Sequence, residues 1–195
     1  MENKNTPKLV LVTGGARSGK SRFAEEYCRK LQREGNLSVT YLATCPRLDA
    51  EMDERIAAHI ARRPADWGCI EETSAVADRI RSLDPACGVI LLDCLSLLLN
   101  NWMWEREQLG KTDQPPEKWA SSLMADLLDA CRSYPHPVVM VTNEVGSGIV
   151  PDNELSRQYR DALGVMNQIA AREAAAVYAV FSGIPIELSQ FRVCL

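Results

Sequence analysis

Short apolar runs alternate with longer segments whose apolar residues recur every three or four positions, and the alternation continues from Leu9 to Ser182. The runs Leu9 to Thr13, Ser38 to Thr44, Val89 to Asp93, Val138 to Thr142 and Val177 to Ser182 are apolar at consecutive positions in their centres. Strands covered on both faces have this composition, whereas a strand with one wet face alternates apolar and polar residues. Helical spacing fills the intervals, over Lys20 to Arg33, Asp49 to Arg62, Ser74 to Ser82, Leu95 to Gln108, Glu117 to Arg132 and Asn153 to Glu173. The pattern predicts an α/β fold: a mostly parallel sheet with helices on both faces. Between Leu109 and Pro116 the chain has turn chemistry and no periodicity. That loop is too short to separate two domains, so residues 1–195 are expected to form one.

Charge narrows the classes of partner. With 22 Lys and Arg against 26 Asp and Glu, the net charge of −4 gives no general basic surface for a nucleic-acid backbone, although it leaves room for a local basic pocket. No segment approaches the roughly 18 to 20 apolar residues of a spanning helix. The polar start and the short run Leu9 to Val12 do not make a signal peptide, so a cytoplasmic protein is expected. The 7 cysteines are odd in number and scattered, without a C-x-x-C pair. They read as reduced thiols, and burial is the ordinary expectation for each. Trp102, Trp104 and Trp119 flank the loop; core or subunit packing is the ordinary reading and a ligand-stacking platform the alternative.

The first strand runs directly into Gly14, Gly15, Ala16, Arg17, Ser18, Gly19, Lys20 and Ser21, which fits G-x-x-x-x-G-K-[ST] with a helix following. Glycine at 14 and 19 lets backbone N–H groups turn toward phosphates, Lys20 supplies charge to the β- and γ-phosphates, and Ser21 offers a hydroxyl to Mg²⁺. The helix N-terminus adds partial positive charge. Such a loop needs a carboxylate at the end of a neighbouring strand for the metal, and Asp93 closes the apolar run Val89 to Leu92. Asp93 as N-cap of the next helix is the alternative. Together these residues indicate a nucleoside triphosphate with Mg²⁺. A GTP-binding regulatory protein would share the loop, but Asn-Lys-x-Asp is missing, and a kinase-like transferase is favoured.

On the helix predicted after Pro46, Arg55, His59 and Arg63 stand four residues apart in one column. Flanking guanidiniums disfavour the imidazolium and suit a phosphate-bearing substrate, so His59 is a candidate nucleophile for an α-phosphate. A surface histidine on a solvated face is the commoner case. His136, between two prolines, reads as a loop residue.

Thr13 to Ser21, Tyr41-Leu-Ala-Thr44, Asp49-Ala-Glu-Met52, Arg55-Ile56 with His59, Arg63-Pro64 with Trp67, Thr142-Asn-Glu-Val-Gly-Ser-Gly-Ile-Val-Pro151 and Tyr159-Arg-Asp161 with Asn167-Gln168 stand in this order. Taken together they resemble the bifunctional adenosylcobinamide kinase/adenosylcobinamide-phosphate guanylyltransferases of cobalamin biosynthesis. The resemblance extends from Leu9 to about Ser182, and Asn-Glu-Val-Gly-x-Gly-Ile-Val-Pro is its most specific part. It implies phosphorylation of adenosylcobinamide by ATP or GTP, then transfer of GMP from GTP through a guanylylated histidine to give adenosylcobinamide-GDP and pyrophosphate.

Carried over residue by residue, the resemblance implies that Gly14 to Ser21 bind GTP and that His59 is guanylylated. Ala43, Thr44, Cys45, Ile60, Ala61, Arg62, Arg63, Glu71 and Asp93 then occupy nucleotide-contacting positions. It also implies a homotrimer. Three departures are visible: Ala58 stands where a second histidine is frequent, Ile60-Ala-Arg-Arg63 replaces a Lys-x-Gly-Arg run, and Asp93 replaces a frequent Glu. Arg157 and Arg160 either face phosphates or are solvated surface arginines.

Overall fold

The computed structural model describes residues 8–46, 64–111 and 113–193. Its elements run β1 (Leu9–Thr13), α1 (Lys20–Gly35), β2 (Val39–Ala43), β3 (Gly68–Glu71), α2 (Val76–Arg81), β4 (Val89–Asp93), α3 (Leu95–Gln108), α4 (Pro116–Ser133), β5 (Val138–Val141), α5 (Glu154–Glu173), β6 (Ala176–Phe181) and β7 (Ile184–Glu187). They form one sheet in the order β3-β2-β4-β5-β1-β6-β7. Every pairing is parallel except β6 with β7. This is the α/β architecture that the pattern predicts, and the five predicted strands are present within one or two residues. The helix expected over Asp49 to Arg62, with His59 and the stretch Ile60, Ala61, Arg62 and Arg63, lies outside the described residues.

Consecutive apolar residues are needed because alternate side chains enter opposite layers. Val10, Val12, Leu91, Val139 and Val141 pack with Ala24, Cys28 and Leu31 of α1 on one face. Leu9, Leu11, Ile90, Leu92 and Met140 pack with α3, α4 and α5 on the other, through Leu98, Leu99, Leu128 and Met166. Each fully buried Val, Leu, Ile or Met side chain among them contributes about 1.5–3 kcal/mol relative to exposure.

Two strands escaped the sequence pattern, both at edges. Gly68–Glu71 is mostly exposed, so no apolar run marks it. β7 is exposed along most of its length, but Ser182 and Gly183 before it both have positive φ, 51° and 83°, the tight-hairpin signature that Ser-Gly could have signalled. Among the described residues six cysteines are free thiols. Cys28, Cys94 and Cys131 are buried, but Cys69 is exposed on the β3 edge and Cys45 and Cys87 are partly covered, so general burial does not hold. Burial pushes the Cys94 thiol up to about 11. Trp102 and Trp119 belong to the core, whereas Trp104 is 61% exposed.

Gly88 turns the chain into β4 at φ +67°, where an added Cβ would lie 2.1 Å from the Ser38 carbonyl oxygen. Gly88→Ala is therefore expected to destabilise the fold by about 3 kcal/mol, lowering Tm by roughly 6–12 °C in thermal unfolding. An unchanged Tm would contradict this account of the turn.

Candidate active site at the carboxyl edge of the sheet

β1 ends at Thr13 and α1 begins at Lys20, and the loop between them is tightly enclosed. A Cβ on Gly14 would fall 2.6 Å from both Ser18 Oγ and the Val180 carbonyl oxygen. Gly19, the N-cap of α1, has φ +95°, and its Cβ would stand 3.2 Å from Gly183 Cα. Gly15 has open space around it, so it is not required on that ground. Gly183 N–H donates to Ser18 O at 2.8 Å, so the β6–β7 turn buttresses the loop. No side chain caps α1 and no acidic residue occupies its first turn, which leaves its N-terminal N–H groups for an anion. Lys20 Nζ donates to Gly15 O at 3.1 Å and is thereby held over the loop.

Strand order decides what faces that lysine. β5 lies between β1 and β4, so Asp93 at the tip of β4 is two strand spacings away, about 10 Å at the backbone. Burial lowers the Lys20 pKa, and the nearby Cys94 and Asp93 groups partly offset that. Tyr41 Oη donates to Asp93 Oδ2 at 2.9 Å, which fixes the carboxylate. Cys94, not Asp93, is the N-cap of α3, and no side chain caps that helix, so the capping role for Asp93 is not the observed one.

Parallel register brings more of the expected residues together. Ala43 pairs with Glu71 on one side and Asp93 on the other, so the three lie in a single row across the carboxyl edge. Thr44 is completely buried: its hydroxyl donates to Cys94 O and accepts from Cys94 N–H, both at 2.8 Å. Asn101 Nδ2 holds Thr44 O at 2.8 Å. The Thr44 side chain thus anchors β2 to the β4–α3 junction. Cys45 is half-buried beside it.

Sequence reasoning gave no role to a polar group beside Asp93. Asn143, just beyond β5, donates through Nδ2 to Ser96 Oγ at 3.1 Å, and Ser96 Oγ lies 2.9 Å from Cys94 Sγ. Asn167 Nδ2 donates to Asn143 O at 2.9 Å, and Tyr159 Oη donates to Ser96 O at 3.0 Å. The signal was present in Thr142-Asn-Glu at a strand end, but only the strand order reveals that this end stands between Lys20 and Asp93. Arg157 and Arg160 of α5 are locally engaged: Arg157 donates to Pro151 O and Asp152 O, and Arg160 pairs with Asp161 at 2.9 Å.

A family model described as "Cobinamide kinase / cobinamide phosphate guanyltransferase" matches residues 10–188. The chain belongs to this family. Among curated relatives, it is 40% identical over 178 residues to the "Bifunctional adenosylcobalamin biosynthesis protein CobP" of Pseudomonas aeruginosa, covering 91% of this chain and 95% of that protein. It is 37% identical over 188 residues to the "Bifunctional adenosylcobalamin biosynthesis protein CobU" of Escherichia coli, covering 92% and 99%. Among solved structures, an ATPase domain is similar in fold, with a TM-score of 0.50 at 13% identity, covering 88% of this chain and 68% of that one. As a member of the cobinamide kinase / cobinamide phosphate guanyltransferase family the chain is an enzyme.

Lys20→Ala is expected to weaken nucleoside triphosphate binding by about tenfold or more, read by calorimetric titration, because the charge above Gly15 is lost. Tyr41→Phe should keep the fold and lower turnover about tenfold, since Asp93 then loses the donor that orients it. Unchanged affinity in the first variant, or unchanged turnover in the second, would overturn the respective assignment.

Proposed function

We propose that the protein carries out two successive transfers on adenosylcobinamide. In the first, the aminopropanol hydroxyl attacks the γ-phosphorus of ATP or GTP. A new O–P bond forms, the bond to the β-phosphate oxygen breaks, and the nucleoside diphosphate leaves while the hydroxyl proton is released. The observation that carries this reading is the pairing of a lysine held over the Gly14–Ser21 loop with the Tyr41-oriented Asp93 across one intervening strand. Ser21 and Asp93 would hold Mg²⁺, since a hydroxyl and a carboxylate are hard oxygen donors, and one Asp93 oxygen has no hydrogen bond from any described residue. When bound, the metal neutralises charge between the β- and γ-phosphates.

In the second reaction a nitrogen of His59 attacks the α-phosphorus of GTP, forming a P–N bond as pyrophosphate leaves. A phosphate oxygen of adenosylcobinamide-phosphate then displaces the histidine, giving adenosylcobinamide-GDP and regenerating His59. The chain leaves the described residues at Pro46, two residues past Thr44 on the carboxyl edge. Ala43, Cys45 and Glu71, together with Ile60 to Arg63, are taken as further nucleotide contacts.

The site is assigned to a cytoplasmic homotrimer without nucleic-acid partners. No helix among the described residues is long and apolar enough to cross a membrane. Exposed apolar side chains gather on the β6–β7 hairpin and the following turn, with Phe181, Ile184, Ile186, Leu188 and Phe191 all accessible, and Ile149 is 96% exposed. A patch of this kind suits a protein–protein contact, which the trimer reading assigns to neighbouring copies. Light scattering should give the mass of three chains, and Ile184→Lys with Phe191→Asp should lower it; a monomeric wild type would end the trimer reading.

The decisive experiment uses GTP labelled at the α-phosphate. Wild type should acquire a GMP adduct that is stable to base and removed by acid, as a phosphoramidate is, with pyrophosphate released. His59→Ala should lose the adduct and the synthesis of adenosylcobinamide-GDP while keeping most of its phosphorylation of adenosylcobinamide. Labelling that persists in His59→Ala would require another nucleophile.

A further inference from the structure

Among the described residues a cavity of about 710 Å³ lies outside the nucleotide site. Its walls come from the second half of α3, the connection to α4, and the first turns of α4 and α5. Topology fixes which side of the molecule it occupies. α4 and α5 must each end at the amino edge of the sheet to feed β5 and β6, so both begin at the carboxyl edge, where α3 also starts directly after Asp93. The cavity therefore opens on the same edge as Lys20 and Asp93, but over the α3–α5 layer instead of over α1. Tyr159 joins the two places: its ring lines the cavity, and its hydroxyl is bonded to Ser96 O, beside Cys94 and Asn143.

The lining is unlike a phosphate site. Trp104 lines it while 61% exposed, an apolar surface that no packing within the described residues covers. Trp119 is buried, with the Arg106 guanidinium 4.9 Å from its ring centre. Asn100, Gln114 and Gln158 add neutral amides, and the charges cancel, Arg106 and Lys111 against Glu107 and Asp113. An aromatic wall with amide partners and no net charge suits a flat, amide-fringed molecule, and the volume falls in the range of small-molecule sites.

The geometry points to this cavity as the seat of the acceptor: it takes the corrin ring of the cobinamide substrate, with Trp104 against the ring and the amides of Asn100, Gln114 and Gln158 meeting its amide arms. This rests on the function proposed above. The hydroxyl-bearing arm then extends past Tyr159 and Ser96 toward Asp93, while the nucleotide enters from the Gly14–Ser21 loop. Acceptor and donor thus approach the carboxyl edge from opposite layers of the sheet.

The test titrates the intact protein with dicyanocobinamide, whose absorption quenches tryptophan emission, and measures KM for cobinamide and for the nucleotide separately. Trp104→Ala empties the wall, and Ser156→Trp fills the cavity from the first turn of α5. Each is expected to raise Kd and KM for cobinamide about tenfold or more, leaving KM for the nucleotide within about twofold, and Trp104→Phe should recover most of the loss. Normal cobinamide KM in both Trp104→Ala and Ser156→Trp would overturn the site while leaving the functional reading intact. A wild type that binds nucleotide but transfers no phosphate to cobinamide would overturn the functional reading, and this site with it. Should a second copy of the chain cover Trp104 instead, Trp104→Ala would lower the mass seen by light scattering and leave the cobinamide Kd within about twofold, and the site would be refuted.

Discussion

Parallel pairing of β3, β2, β4, β5, β1 and β6 places the carboxyl ends of these strands on one edge, and every feature of the candidate site depends on it. The register is specific: Ala43 stands opposite Glu71 and Asp93, and Asp93 opposite Val141. A slip of one residue would turn each strand's side chains to the opposite face, exchanging the two core layers. The hydrophobic burial that stabilises the sheet therefore also holds Asp93 on the edge that Lys20 overlooks. Packing and function are specified by the same residues on these strands.

Polar groups at that edge are tied to one another more than to solvent. Burial lowers the Lys20 pKa, and Cys94 and Asp93 counter part of that shift. Thr44 closes two hydrogen bonds on Cys94, and Asn101 holds Thr44 in turn. Arrays of this kind lose more when one member is removed than a single hydrogen bond contributes, because the partners stay buried without a match. Rigidity around Asp93 is accordingly built by side chains whose hydrogen bonds go to the protein itself.

The loop glycines show steric enclosure from a distant part of the chain. Gly14 is crowded by Val180 and Gly19 by Gly183, so the β6–β7 hairpin, near the C-terminal end, shapes a loop near the N-terminal end. The hairpin's outer side is apolar and exposed.

By itself the sequence determined the α/β class, the five inner strands, the glycine-rich loop between β1 and α1, and the carboxylate at the end of β4. Each of these is written in local pattern: β1 and β4 end where apolar runs stop, and Gly14, Gly19 and Lys20 occupy fixed positions in a short motif. Tertiary structure alone decided that β5 lies between β1 and β4, which brings Asn143 and Ser96 beside Asp93, and that Tyr41 orients the carboxylate. It also separated Trp104 from Trp102 and Trp119, which share its neighbourhood in the chain but not its exposure. The physical reason is range. Periodicity and turn chemistry act within a few residues, whereas strand order and the environment of a side chain are set by contacts between segments that the sequence keeps far apart.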